Sequence, residues 1–127
     1  MPFVAAQPQA YVGQVVGDGH CVAYVRVAAR VPHTSLWLEG HPVWDSSTLA
    51  PGTGIATFNG FGRYANATDG SSHAAIFIEH TDDGFAVYDQ WTTGTEHHPV
   101  ARRVIRAKGG VPPACDDADA YAVIEAV

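Results

Sequence analysis

The chain has 127 residues, 46% hydrophobic and 16% charged, with 13 acidic against 7 basic side chains and a net charge of -6. That length suits one domain over residues 1–127 with a sizeable core, and the composition excludes a disordered chain. The shortage of cations, with Lys108 the only lysine, excludes nucleic acid and anionic membranes as partners, since both select clustered Lys and Arg.

In chain order, Met1 to Pro8 has neither the basic nor the apolar region of an export signal. The expectation is a chain made in the cytoplasm that leaves it by another route. Phe3 to Gly13 is broken by proline and reads as a surface arm. Gly19 to Arg30 suits a helix, with Asp18 as N-cap and Pro32 as terminator; its apolar content all round predicts a mostly buried helix. Thr34 to Val43 reads as a short second helix ending at Gly40. Turn residues from Leu49 to Gly54 lead into a strand at Ile55 to Phe58. Asn59 to Ser72 is a long loop of the kind that tends to carry function. Ala74 to Ile78 is a continuous apolar run, the pattern of a strand covered on both faces. The turn Asp82-Asp83-Gly84 joins it to a strand at Phe85 to Asp89. Val100 to Ala107 and Ala120 to Ala126 supply two more. The expected architecture is α+β, one helix on a mostly antiparallel sheet of four to six strands.

Chemistry concentrates in Gly17-Asp18-Gly19-His20-Cys21-Val22-Ala23-Tyr24-Val25. A glycine turn delivers Cys21 into the first turn of a helix, where unpaired N–H groups and the helix dipole favour thiolate. A cysteine that attacks amides needs a base and a group that orients the base. His73, at the head of the Ala74 strand, is the base candidate, and Asp89, on the strand that turns back beside it, is the orienting candidate. His73 lies farther from the connecting turn than Asp89, so direct contact requires a bulge or a skewed register.

The plainer readings stand beside these. Cys21 could be a small buried hydrophobe, His73 a strand-end histidine with a backbone partner, and Asp89 a turn residue bonded to Gln90 or Trp91. Two cysteines permit one disulfide, Cys21 with Cys115, but the favoured reading keeps both free and Cys115 inert in a loop. No CxxC or HExxH spacing occurs, so no metal and no cofactor are expected.

Gly19 to Val25, Pro51 to Phe58, His73 to Ile78 and Val87-Tyr88-Asp89-Gln90-Trp91 together resemble the CHAP and NlpC-type branch of the papain-like cysteine amidases. The similarity is greatest to small single-domain bacterial peptidoglycan amidase effectors of the type VI secretion kind. The resemblance implies a thiol amidase or peptidase with a papain-like core, Cys21 as nucleophile, His73 as base and Asp89 in the orienting position. The oxyanion would rest on the Cys21 backbone N–H; position 20, glutamine in many relatives, is His20 here, so histidine takes that supporting place. The implied substrate is a peptidoglycan stem peptide or its junction with the glycan. The implied place of action is the periplasm or cell wall, reached by secretion-system delivery or lysis, with an immunity protein as a compatible partner. A monomer is expected. Two alternatives use the same residues differently: a wall-binding or partner-binding module that does not cut, and a transacylase that passes the acyl group to an amine.

Overall fold

Ala74, Ala75, Ile76 and Phe77 are all buried, as a continuous apolar run requires when both faces of a strand are covered. The structure, a computed structural model, describes residues 2–126. It holds one α-helix, α1 (Cys21–Ala29), and six strands, β1 (Trp37–Pro42), β2 (Gly54–Thr57), β3 (Ala74–His80), β4 (Gly84–Thr93), β5 (Glu96–Arg106) and β6 (Tyr121–Ala126). The strands form one sheet in the order β1-β6-β2-β3-β4-β5, and every neighbouring pair is antiparallel.

Alternation along the central strands splits the core in two. On one face Ala56, Ala74, Ile76 and Ile124 meet Tyr24, Val25 and Ala29 of α1, with Trp37 and Tyr64 closing the cluster. On the other, Ile55, Ala75, Phe77, Phe85, Val87, Ile105 and Tyr121 are covered by Val43, Leu49 and Ala118 from connecting segments.

Three expectations change. Thr34 to Val43 is not a helix: a single 3-10 turn, Thr34–Leu36, gives way to β1 on the sheet edge. The free edge of β6 and the burial of Trp37, fully covered with its ring 4.8 Å from that of Tyr64, outweigh the modest helix propensity of so short a run. Gly40 suits this strand because a Cβ there would stand 2.7 Å from the Val123 carbonyl oxygen.

The N-cap of α1 is His20 rather than Asp18. Asp18 Oδ1 instead accepts the His20 N–H at 3.0 Å, closing the turn before the helix and leaving helical backbone to begin at the cysteine. The helix is also less covered than its composition suggests. Tyr24, Val25 and Ala29 form the buried stripe, while Arg26 and Val27 are exposed, because nothing packs on the outer side of α1. Among the described residues no helix is long and apolar enough to cross a membrane.

Candidate active site

The site forms where the N-terminus of α1 meets the start of β3. Cys21 is the first helical residue, so its N–H has no intrahelical acceptor and its side chain lies in the positive end of the helix dipole. The turn ahead of it needs glycine twice: Gly17 and Gly19 hold φ of 58° and 86°, left-handed backbone that L side chains rarely adopt. His73 lies one residue before β3. Its backbone is fixed by Thr57, whose Oγ1 accepts the His73 N–H at 3.0 Å and whose N–H donates to the His73 carbonyl at 3.0 Å.

A β-bulge brings Asp89 to the histidine. Near the hairpin turn, Glu79 faces Ala86, but from Phe77 onward the ladder has slipped by one residue, so that Phe77 faces Val87 and Ile76 faces Tyr88. A one-residue slip exchanges the faces of the sheet. It puts His73 and Asp89 on the same side as diagonal neighbours, within reach of long side chains. His73 Nε2–H donates to Asp89 Oδ2 at 2.7 Å, and Arg103 Nε–H donates to the same oxygen at 2.6 Å. Asp89 is fully buried; its other oxygen, Oδ1, has no partner among the described residues.

With Nε2 committed to Asp89, Nδ1 is the ring nitrogen left for the thiol. Burial resists the charged form of both groups and is the largest influence on each. It is outweighed on Cys21 by the hydrogen bond and positive charge of His73, with help from the Ala74 N–H and the Tyr64 hydroxyl, which together hold the thiol below its ordinary value. On His73 it is outweighed by Asp89 and the Cys21 charge, and the imidazole is pushed up to about 9. The pair therefore favours thiolate and imidazolium, the form in which a cysteine attacks a carbonyl and a histidine protonates a leaving amine. Burial first, and then the neighbouring Cys21 charge, keep the Tyr64 phenol protonated. Its O–H is thus the donor across the 3.7 Å separation from Cys21 Sγ.

The His73 ring meets the edge of Tyr121 at a centroid distance of 6.5 Å. The Tyr121 hydroxyl donates to the Cys115 carbonyl at 2.7 Å, and Asp116 stands 3.6 Å from Arg103. The segment carrying Cys115 and Asp116 is thereby tied to the histidine side of the site. A cavity of about 730 Å³ opens over this arrangement, and Cys21, His20, His73, Tyr64, Trp91 and Cys115 are among its walls.

The family model of domesticated amidase effector 2 matches residues 2–124. The chain belongs to this family. Among solved structures, type 6 secretion amidase effector 2 (Tae2) superposes with a TM-score of 0.84 at 31% identity, over 98% of this chain and 95% of that chain. No curated protein matches. This member of the domesticated amidase effector 2 family shares the α+β, papain-like fold of that neighbour, one helix on a six-stranded antiparallel sheet.

Of the residues singled out in the sequence, Cys21, His73 and Asp89 converge. His20 is exposed and borders the cavity, while its backbone is occupied by Asp18 on the N–H side and Gln90 on the carbonyl side. Cys21 and Cys115 are both free thiols. Among the described residues no group of three or more His, Cys, Asp and Glu is placed to hold a metal ion. Sequence reasoning missed Tyr64 and Arg103. Tyr64 comes from the long Asn59 to Ser72 stretch, where no periodicity marks a buried residue. Arg103 does carry a signal, a charge inside an otherwise strand-like run, which often means a partner across the sheet.

Proposed function

We propose that this amidase-family protein hydrolyses an amide bond of bacterial peptidoglycan by cysteine chemistry, with residues 1–127 as one amidase domain. The observation that carries the reading is the chain from the half-buried, helix-borne Cys21 through the buried His73 to the buried Asp89. The Cys21 thiolate attacks the scissile carbonyl. Its own backbone N–H, with the adjacent His20 ring, receives the oxyanion. The His73 imidazolium gives its Nδ1 proton to the departing amine, and the resulting neutral imidazole takes a proton from the water that releases the acyl group. Asp89 holds the ring in the tautomer and orientation this exchange needs. Since thiolate and imidazolium must coexist, kcat/KM is a bell in pH. It falls on the acid side as the thiolate is protonated and on the alkaline side as His73 loses its proton near pH 9.

The wall substrate is a stem peptide or its glycan junction, reached in the periplasm after delivery by a secretion machine, and an immunity protein is the matching partner. The deciding test is mass spectrometry of fragments released from purified sacculi by wild type and by Cys21→Ala. Soluble fragments from the wild type alone are expected, and their masses name the bond. No fragments from either protein across several wall types would overturn the reading.

A further inference from the structure

Asp89 and Gln90 are consecutive on β4, and neighbouring residues on a strand point to opposite faces. Asp89 reaches His73 on one side. Gln90, fully buried, reaches the loop that delivers the nucleophile on the other. Its Oε1 accepts the Val16 N–H at 2.8 Å, and its Nε2 donates to the Val16 carbonyl at 2.9 Å and to the His20 carbonyl at 2.8 Å. Both amide protons are used. The contacts grip the loop at its first residue and at the residue immediately before Cys21.

Two further attachments come from the same hairpin. Thr92 Oγ1–H donates to the Gly19 carbonyl at 3.0 Å. That hydroxyl proton being spent, His97 Nδ1–H is the donor of the 3.0 Å bond back to Thr92 Oγ1. Gly19 lies so close to this pair that any Cβ there would collide with the His97 ring. The β4–β5 ladder also slips between Asp89 and Trp91. Beside that slip, Val100 donates its N–H to the Gln14 carbonyl at 2.9 Å and accepts the Gly13 N–H at 2.8 Å. Bulges commonly redirect groups next to active sites, and here one turns strand backbone toward the segment that enters the nucleophile turn.

We infer that Gln90 is a positioning residue, and that the Asp89-Gln90 pair with Thr92 makes β4 a single rigid bar that sets the Cys21 thiol against the His73 ring. This rests on the amidase reading above and adds to it how nucleophile and base are brought to one register. The loop has two left-handed glycines and only short internal bonds, Gly19 N–H to Val16 and His20 N–H to Asp18, so its place against the imidazole is set by what holds it to the sheet. Misplacing reacting groups by about 1 Å costs about 10²-fold in rate.

Three variants test this, each read by thermal melting, by kcat and KM on soluble muropeptides, and by the pH profile of iodoacetamide alkylation of Cys21. Gln90→Leu keeps the volume and removes the three hydrogen bonds that position 90 makes to the loop. The expected result is a kcat lower by about 10²-fold with KM within about threefold, and a Cys21 alkylation profile moved to higher pH as the thiol leaves the imidazole. Thr92→Val, on a partly exposed residue, gives a smaller effect of the same kind, and Thr92→Ser, which keeps the hydroxyl, restores wild-type behaviour. If Gln90→Leu fails to fold, the Val and Ser pair decides. Folded variants with wild-type kcat and an unmoved alkylation profile overturn the inference while wild-type turnover stands. Absence of both turnover and low-pH alkylation in the wild type overturns the amidase reading itself.

Discussion

Cys21 and Cys115 face the same cavity, yet their surroundings drive the two thiols in opposite directions. Burial raises Cys115, and the Asp116 carboxylate beside it raises it further. Burial raises Cys21 as well, but His73, the Ala74 N–H and Tyr64 more than cancel it. Cys21 starts a nine-residue α-helix, whereas Cys115 lies in a three-residue 3-10 turn, too short to build a dipole. Sharing a cavity does not lower a thiol; Cys21 has the His73 imidazole, two hydrogen-bond donors and the helix end, none of which acts on Cys115.

The sharpest way to break this comparison is to remove each thiol in turn. Cys21→Ala is expected to lower kcat/KM on soluble muropeptides by about 10⁴-fold or more, and Cys115→Ala to stay within about threefold of wild type; comparable losses would erase the distinction. Next come the groups that make Cys21 different. On the proposed mechanism, His73→Ala should cost about 10³-fold and Asp89→Asn about 10²-fold, since the first removes the proposed base and the second disturbs its orientation and charge. Asp89 and the Cys21 charge together hold His73 up against burial, so Asp89→Asn should also move the alkaline limb from about pH 9 toward lower pH. A pH–rate profile of that variant with an unmoved limb would take Asp89 out of the site. Peptide mapping after iodoacetamide at pH 7 should find Cys21 modified at least about tenfold faster than Cys115. The smallest effect is expected of Tyr64→Phe. It deletes one weak donor to the thiolate and should cost only a few-fold in kcat/KM while raising the apparent acid limb slightly.

Local pattern carried much of the architecture. The apolar run at Ala74, the Asp82-Asp83-Gly84 turn and the alternation after it announced a central hairpin, because burial on both faces leaves an unbroken hydrophobic record. The helix that Cys21 begins was legible from glycine, cysteine and a later proline, although its cap was not. Asp18 has the chemistry of an N-cap but spends its carboxylate one step earlier, on His20. Trp37 misled for a related reason: an aromatic between Leu36 and Leu38 is compatible with helix or strand, and only the open edge of β6 decides between them.

The candidate site was legible in part. Cys21, His73 and Asp89 each admit a plain structural use, and it was their order along the chain, a thiol at a helix start followed by a strand-head histidine and an aspartate on the returning strand, that suggested one centre. Tyr64 and Gln90 left no comparable mark, and the charge of Arg103 inside a strand-like run points to a partner without naming it. Each acts across a gap of many residues, on Cys21, Val16 and Asp89 respectively, and an uncharged glutamine inside a strand reads as an unremarkable polar residue until its partners are known.

By itself the sequence determined an α+β chain with a thiol at a helix start, a histidine at a strand head and an aspartate on the returning strand, because those features are written in local periodicity and residue chemistry. Only the tertiary structure decided that the three meet. A one-residue slip between Phe77 and Glu79 puts His73 and Asp89 on one face. Gln90 and Thr92 hold the flexible glycine turn against β4. Register and long-range hydrogen bonds depend on which strands pair, and pairing is a property of the whole fold that no short stretch of sequence contains.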